Sequence, residues 1–358
     1  MLGTGLIGGS IALGLRRADP AVAVVGYDPD EVTARSAVER GAIAAAATTP
    51  SEATAGADIV FLALPVDRMS RMCDALAGAV PPPAVVTDVG SAKIQVVAHG
   101  EAAFGERFVG GHPMAGSERH GIDAADARLF EGAWWILTPT HTTSSSSYSA
   151  VTDVVARLGA KPVAVAPDVH DALVARLSHL PQLTASALVE VAATAGDRDA
   201  LLGLAAAGFR DVTRIAASSP ELWVAILRSN RTSVLEALEG LRGRLAVVAD
   251  MMAADKWDEL RSWLDRSRTA RLELFAKPTY GGEPVELSMM IPDRPGILAE
   301  VTTAAGELGA NIEDLRIVHS TEGGQGRLEL VVAGEDAADT LTKALGDLGY
   351  VVGREPFE

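Results

Sequence analysis

Cysteine is nearly missing from this chain: Cys73 is the only one in 358 residues. A lone cysteine excludes an intrachain disulfide framework and any CxxC metal site. Its place in a stretch of helical pattern reads as packing. Long apolar runs are missing too, and none approaches the roughly 20 residues of a membrane-spanning helix. The apolar N-terminus lacks the basic segment of a signal peptide, so the chain reads as cytoplasmic, with no membrane partner. Basic residues are in the minority: 31 Lys and Arg against 47 Asp and Glu leave a formal charge of −16. A surface of that sign repels phosphate backbones and anionic lipid, which argues against nucleic acid as a partner. Aromatic residues make up only 4%, and alanine supplies much of the 48% hydrophobic content. That is the texture of helices packed through small side chains.

What is present falls into three textures. Over residues 1–166, short β-rich runs (22–27, 59–63, 85–88, 108–110, 134–137 and 161–166) alternate with amphipathic stretches such as 31–40 and 68–76. This order predicts a parallel sheet covered on both faces, an α/β dinucleotide-binding domain of Rossmann type. Residues 138–149 are polar and of low complexity, as in an exposed loop. Over 167–276 the strand alternation stops. Apolar residues recur at three- and four-residue spacing, for example over 170–191 and 223–252, which predicts an all-α domain. Several of these helices are apolar around much of their circumference and need a large core or a second subunit to cover them, so a homodimer is expected. A Gly/Pro linker follows, and 284–358 read as strand–helix–strand–strand–helix–strand, the ferredoxin-like βαββαβ order.

Gly3, Gly5 and Gly8 match GxGxxG. In such a loop one glycine allows a tight turn, one lets backbone approach a pyrophosphate, and one lets helix and strand pack closely. Leu6 and Ile7 open the helix whose N–H groups would face the phosphates. Asp28 ends the next strand, 20 residues after Gly8, where an acid hydrogen-bonds the ribose hydroxyls. Its bland alternative is a helix N-cap. Pro29, Asp30 and Glu31 add negative charge and no arginine, so NAD is expected rather than NADP. Only Met1 and Leu2 precede Gly3, whereas the fingerprint should follow a buried strand of roughly five residues. Either several residues are missing upstream, or the central strand is truncated at a cost in stability. Farther on, Gly110-Gly111-His112-Pro113 sets one histidine in a glycine- and proline-bounded turn. A nucleotide cradle with a positioned acid/base group reads as a dehydrogenase.

Six separated segments point to one family: GTGLIGGSIALGL at 3–15, DVGSAK at 88–93, GGHPMAGSERHG at 110–121, LFEGAWWILTP at 129–139, SHLPQ at 178–182 and FRDVTRIAASSPELW at 209–223. Together they resemble the prephenate/arogenate dehydrogenases of tyrosine biosynthesis, over the chain up to about Phe275. The resemblance implies NAD-dependent oxidative decarboxylation of a cyclohexadienyl substrate. By similarity, His112 takes the substrate hydroxyl proton. Ser91 orients His112 or touches the hydroxyl and the nicotinamide. Lys93 either supports the Ser91 turn or is simply solvated. Glu118 gates the pocket, His179 belongs to the substrate pocket, and Arg214 binds a substrate carboxylate. Trp223 packs nearby. Gln182 departs from many prephenate-using relatives, which have histidine there. Glutamine keeps a donor but not a charge, so prephenate and arogenate are both open as substrate. His99, His120, His141, His170 and His319 have no comparable context and read as structural or surface residues. No metal site is expected.

Residues 285–319 resemble an ACT domain. Asp293, Pro295, Gly296 and Ile297 would form its strand-to-helix loop, and Asn311 would open the second strand. The resemblance implies a small amino acid held there, with tyrosine the expected feedback effector and a purely structural or dimerising module the alternative. Two rivals to the dehydrogenase reading carry less. A 3-hydroxy-acid dehydrogenase would need a lysine on the first long helix after the sheet, and no lysine occurs between Lys161 and Lys256. A catalytically silent sensor of NAD and an amino acid would not need His112, Ser91, His179 and Arg214 kept together.

Overall fold

The computed structural model describes residues 1–116, 119, 121–194, 207–275, 284–292, 297–310, 312–319 and 325–356. Its contacts divide the chain into two compact units, Met1–Val247 and Val248–Glu358.

The first unit is built on β1 (Val25–Gly26), β2 (Ala45–Ala46), β3 (Ile59–Leu62), β4 (Val85–Asp88), β5 (Phe108–Pro113), β6 (Trp134–Thr138) and β7 (Lys161–Ala164). β1 pairs with β2, and β3 to β7 lie side by side in chain order. Leu2 joins the two sets by parallel bridges to Tyr27 and to Leu62. Its amide donates to the Phe61 carbonyl at 2.9 Å, and its carbonyl accepts from Ala63 N at 2.7 Å. Met1 and Leu2 therefore form a short rung between the two sets, and the strand order is that of a doubly wound sheet. All the pairings are parallel except β5 with β6, which is antiparallel. The strand expected over 22–27 is shorter than its pattern, and β2 was not expected at all. Ala45 and Ala46 carry none of the branched side chains that mark a strand.

Apolar side chains fill both faces of this sheet. Ile11, Val109, Trp135 and Val151 belong to one core, and Leu62, Met69, Val86 and Phe108 to the other. Cys73 lies inside the second core, and burial pushes its thiol up to about 12, so it packs and does not react. The loop before α1 (Leu6–Ala18) is folded on itself. Gly3 holds φ +92°, and a Cβ at Gly8 would sit 2.0 Å from the Gly3 carbonyl oxygen.

After β7 the unit is helical among its described residues. α2 (Pro167–Val174) passes into a π-helical turn, Ala175–His179, and on into α3 (Leu180–Ala193). Pro181 explains the turn. It has no N–H for the carbonyl four residues back and its ring crowds that carbonyl. The register widens, and Leu180 N–H reaches back to Ala175 O. The stretch 223–252, read as one helical run, is two helices, Pro220–Ser229 and Arg231–Ala253, broken at Asn230.

The second unit holds the helix Trp257–Phe275 and an antiparallel sheet of β8 (Pro284–Pro292), β9 (Ile312–His319), β10 (Gln325–Ala333) and β11 (Val352–Pro356) in the order β11-β8-β10-β9. Helices Ile297–Glu307 and Glu335–Asp347 complete the expected βαββαβ order. Burial alternates along β8, with Val285, Leu287, Met289 and Ile291 turned into the core. The linker expected before β8 lies outside the described residues.

Because the Gly3–Gly8 contact leaves no room for a methyl group, Gly8→Ala should lower stability by about 2–3 kcal/mol. A urea midpoint, with an unchanged slope, measures it.

Candidate active site

The loops that leave the C-terminal ends of the parallel strands meet the helix Pro220–Ser229 around a cavity of about 380 Å³. This is where doubly wound sheets bind ligands, at the point where the strand order reverses. Gly5, Leu6 and Ile7 line it from the glycine loop, Ser91 from the turn after β4, and His112 from the end of β5. Gly5 caps α1 without any side chain, no acid stands in the first turn, and the space where a Cβ would lie is open. The bare N–H groups of a helix start thus face a cavity, a cradle for an anionic group.

Asp28 is tied to that cradle. Its Oδ2 accepts from Thr4 N at 2.8 Å and its Oδ1 from Asp30 N at 3.1 Å. The N-cap alternative for Asp28 fails, because Asp30 caps the helix Glu31–Glu39 by accepting from Val32 N at 3.1 Å.

Behind the cavity lies a buried polar junction. Lys93 is fully buried, which removes the solvated alternative. Its ammonium pairs with Asp88 and donates to the Gly111 carbonyl at 2.7 Å. Asp88 Oδ1 accepts from Gly111 N at 3.0 Å, and Oδ2 from Gly90 N at 2.8 Å. Both peptide groups of Gly111 are therefore held, and His112 follows directly. His112 Nδ1 lies 2.9 Å from Nε2 of His170, whose Nδ1 lies 2.8 Å from Oδ1 of Asp171. Asp171 also accepts from Lys93 N at 2.7 Å and Ile94 N at 3.0 Å. Asn230 donates to the Asp171 carbonyl at 2.8 Å, with its Nδ2 3.3 Å from His179 Nδ1. His179 meets the Trp223 ring edge-on.

Desolvation dominates the electrostatics. It holds His112 well below 6.5, helped by the ammonium of Lys93 and by the nearness of the His170 and His179 rings, which disfavour a further positive charge. It lowers His170 against the opposing pull of Asp171, and brings His179 down to about 4. The junction thus keeps its imidazoles neutral, the form that accepts a proton.

Of the residues singled out from sequence, Ser91, His112 and the glycine loop share the cavity wall. Gln182 is buried on α3, and its Oε1 has no partner among the described residues. Arg214 is exposed on the turn Arg214–Ala217 and is not part of the cavity wall. Ile297 opens its helix and is buried in the core of the second unit. Glu118, Asp293, Pro295, Gly296 and Asn311 lie outside the described residues. Sequence reasoning missed His170, Asp171 and Asn230. His170, read there as a structural or surface histidine, is buried against His112. The signal lay in polar residues placed at core positions of helices.

The chain matches two family models described as the prephenate dehydrogenase nucleotide-binding domain, over residues 11–164, and the prephenate dehydrogenase dimerization domain, over 166–266. A third, an AHAS small subunit-like ACT domain, matches 287–353. Prephenate dehydrogenase of Bacillus subtilis is 31% identical over 94% of this chain and 92% of its own length. The crystal structure of prephenate dehydrogenase from Aquifex aeolicus in complex with hydroxyphenyl propionate and NAD+ superposes with TM-score 0.72 at 32% identity, covering 76% of this chain and 96% of that one. Synechocystis arogenate dehydrogenase gives 0.68 at 33%, covering 76% and 98%.

The buried histidines make stability depend on pH with a defined sign. A folded value below the unfolded one means that the unfolded chain binds the proton more readily. For His179 the stabilisation is complete above about 6.5 and is lost as pH falls through about 4. Urea midpoints should therefore hold level above that window and fall within it, and His179→Gln should fall less steeply than the parent.

Proposed function

The chain belongs to the prephenate dehydrogenase family, and from that premise we propose that it catalyses the NAD-dependent oxidative decarboxylation of prephenate to 4-hydroxyphenylpyruvate, or of arogenate to L-tyrosine. The observation that carries this reading is the cavity itself, which has a bare helix N-terminus at one wall and a desolvated histidine at another.

The residues fit a dinucleotide. In this reading the N–H groups at Gly5, Leu6 and Ile7 hold the pyrophosphate, and the Gly3–Gly8 contact keeps that loop tight. Asp28 takes the ribose hydroxyls, and the acids after it disfavour a 2′-phosphate. NAD supplies a hydride acceptor when bound. Neutral His112 accepts the substrate hydroxyl proton as hydride leaves the same carbon. The carboxylate opposite departs as carbon dioxide, and its bonding electrons complete the aromatic ring. Ser91 orients the hydroxyl or His112. Gln182 and Arg214 serve the substrate's carboxylate end, His179 belongs to the substrate pocket, and Glu118 is the gate. Gln182 offers a donor without charge, so a keto acid and an amino acid both remain admissible.

The helical part is the proposed dimerisation region. Its match to a dimerization-domain model supports this, as do Leu177 and Val191, 72% and 71% exposed on helices otherwise rich in apolar residues. The proposed domain limits are 1–166, 167–276 and 284–358. No helix among the described residues is long and apolar enough to cross a membrane, and the cytoplasm is the proposed compartment. The ACT-like part is proposed to bind tyrosine at the loop 293–297 and Asn311.

Three outcomes test the proposal. NADH should form with prephenate, arogenate or both. His112→Asn should lower kcat about 10²–10⁴-fold while NAD still binds. Tyrosine should inhibit the full chain and leave a chain ending at Phe275 unaffected, as read from initial rates. Equal curves contradict tyrosine control.

A further inference from the structure

His112 has two ring nitrogens, and only one of them can serve a substrate in the cavity. Its Nδ1 is engaged by His170 Nε2 at 2.9 Å, which leaves Nε2 for the cavity that His112 lines. To act as a base, Nε2 must be unprotonated, so the proton of the neutral ring must sit on Nδ1. Something must hold it there.

We infer that His170 and Asp171 are positioning residues that fix the tautomer of His112 through a directed chain of hydrogen bonds. The inference rests on the dehydrogenase reading for its catalytic consequence, but not for its geometry. The direction follows from which groups can only accept. A carboxylate has no proton to give. Asp171 Oδ1 faces His170 Nδ1 at 2.8 Å and takes Lys93 N at 2.7 Å, and Oδ2 takes Ile94 N at 3.0 Å. His170 Nδ1 must then be the donor. A neutral His170 with its proton on Nδ1 has a bare Nε2, so it accepts from His112 Nδ1–H. His112 Nε2 is left bare towards the cavity. Reversing any link sets two protons or two lone pairs against each other.

The surroundings agree with this polarity. His170 and Asp171 are buried, so water does not compete for these bonds. The groups facing His112 electrostatically are His170, Lys93 and His179, and those facing His170 are Asp171, Lys93 and Asp88. Burial keeps His170 neutral. Protonating it would place a donor opposite the His112 donor and break the chain. Asp171 is itself held by the turn that carries Lys93, and Lys93 grips the carbonyl of Gly111. One carboxylate thus fixes the proton on His112 while the same junction fixes its backbone. When His112 takes a proton on Nε2, the resulting cation still donates from Nδ1 to a neutral acceptor backed by an anion, so the bond strengthens without rearrangement.

The test uses the full chain. ¹⁵N NMR of the histidine rings at neutral pH should show His112 and His170 both protonated on Nδ1 and bare on Nε2. His170→Leu removes the acceptor. It should lower kcat about hundredfold with KM for NAD and substrate within about threefold, and His112 should lose its preference for the Nδ1 proton. His170→Gln keeps an acceptor towards His112 and a donor towards Asp171, and should recover kcat to within about tenfold of the parent. A His112 ring bare on Nδ1 in the parent overturns the inference, and so does a His170→Leu variant with unchanged kcat. If His170→Leu does not fold, the parent spectrum and the glutamine variant still decide. The spectrum reads the chain of bonds with no substrate present. A chain inactive on both cyclohexadienyl acids that still shows the Nδ1 protons would refute the function and keep the relay.

Discussion

The first unit turns on three charged side chains placed where water cannot reach. Lys93, Asp88 and Asp171 are all buried, and a buried charge without partners costs several kcal/mol. They are satisfied only when three segments come together: β4 with the turn after it, the Gly111 peptide of β5 and the helix Pro167–Val174. The junction therefore adds more than stability. It ties the sheet that forms the glycine cradle to the helices that carry His170 and His179, in one arrangement. A hydrophobic substitute would fill the same space without specifying which strand end faces which helix.

The chemistry follows from the same exclusion of water. An imidazole in water carries a proton for part of the time near neutral pH. Here desolvation and the neighbouring cation leave His112 neutral, and its position at the end of β5 sets it across the cavity from the start of α1. The helix start favours negative charge, and the neutral histidine offers a lone pair that can accept a proton. A substrate that gives up both a hydride and a proton from one carbon–oxygen unit suits that pairing. The π-turn at Ala175–His179 belongs to the same design. Pro181 forces a wider turn, and the turn leaves His179 buried beside Asn230 and Trp223.

Much of this was legible in the sequence. The glycine spacing and Asp28 marked the cradle, because that geometry needs those residues at that interval. The ferredoxin-like tail declared itself through alternation along β8. His112 was legible because glycine and proline bracket it. The rest was not, for a physical reason. His170 meets His112 across 58 residues, and Asp171 meets Lys93 across 78. Neither partner shares a local pattern with the other. His170 sits in a helical stretch and Asn230 at the break between two helices, places where a polar residue reads as a surface position. Lys93 looked equally like a solvated lysine, and only the fold shows that its ammonium is enclosed. β2 escaped notice because alanine carries no strand signature.

The central claim is that a neutral, desolvated His112 is the base of an NAD-dependent oxidation. The most direct measurement is kcat/KM against pH for the parent and for His112→Asn. The account predicts an acid limb in the parent that lies well below the ordinary histidine value of 6.5 and is absent from the residual activity of the variant. A limb at or above that value, or one that persists when His112 is replaced, would contradict it.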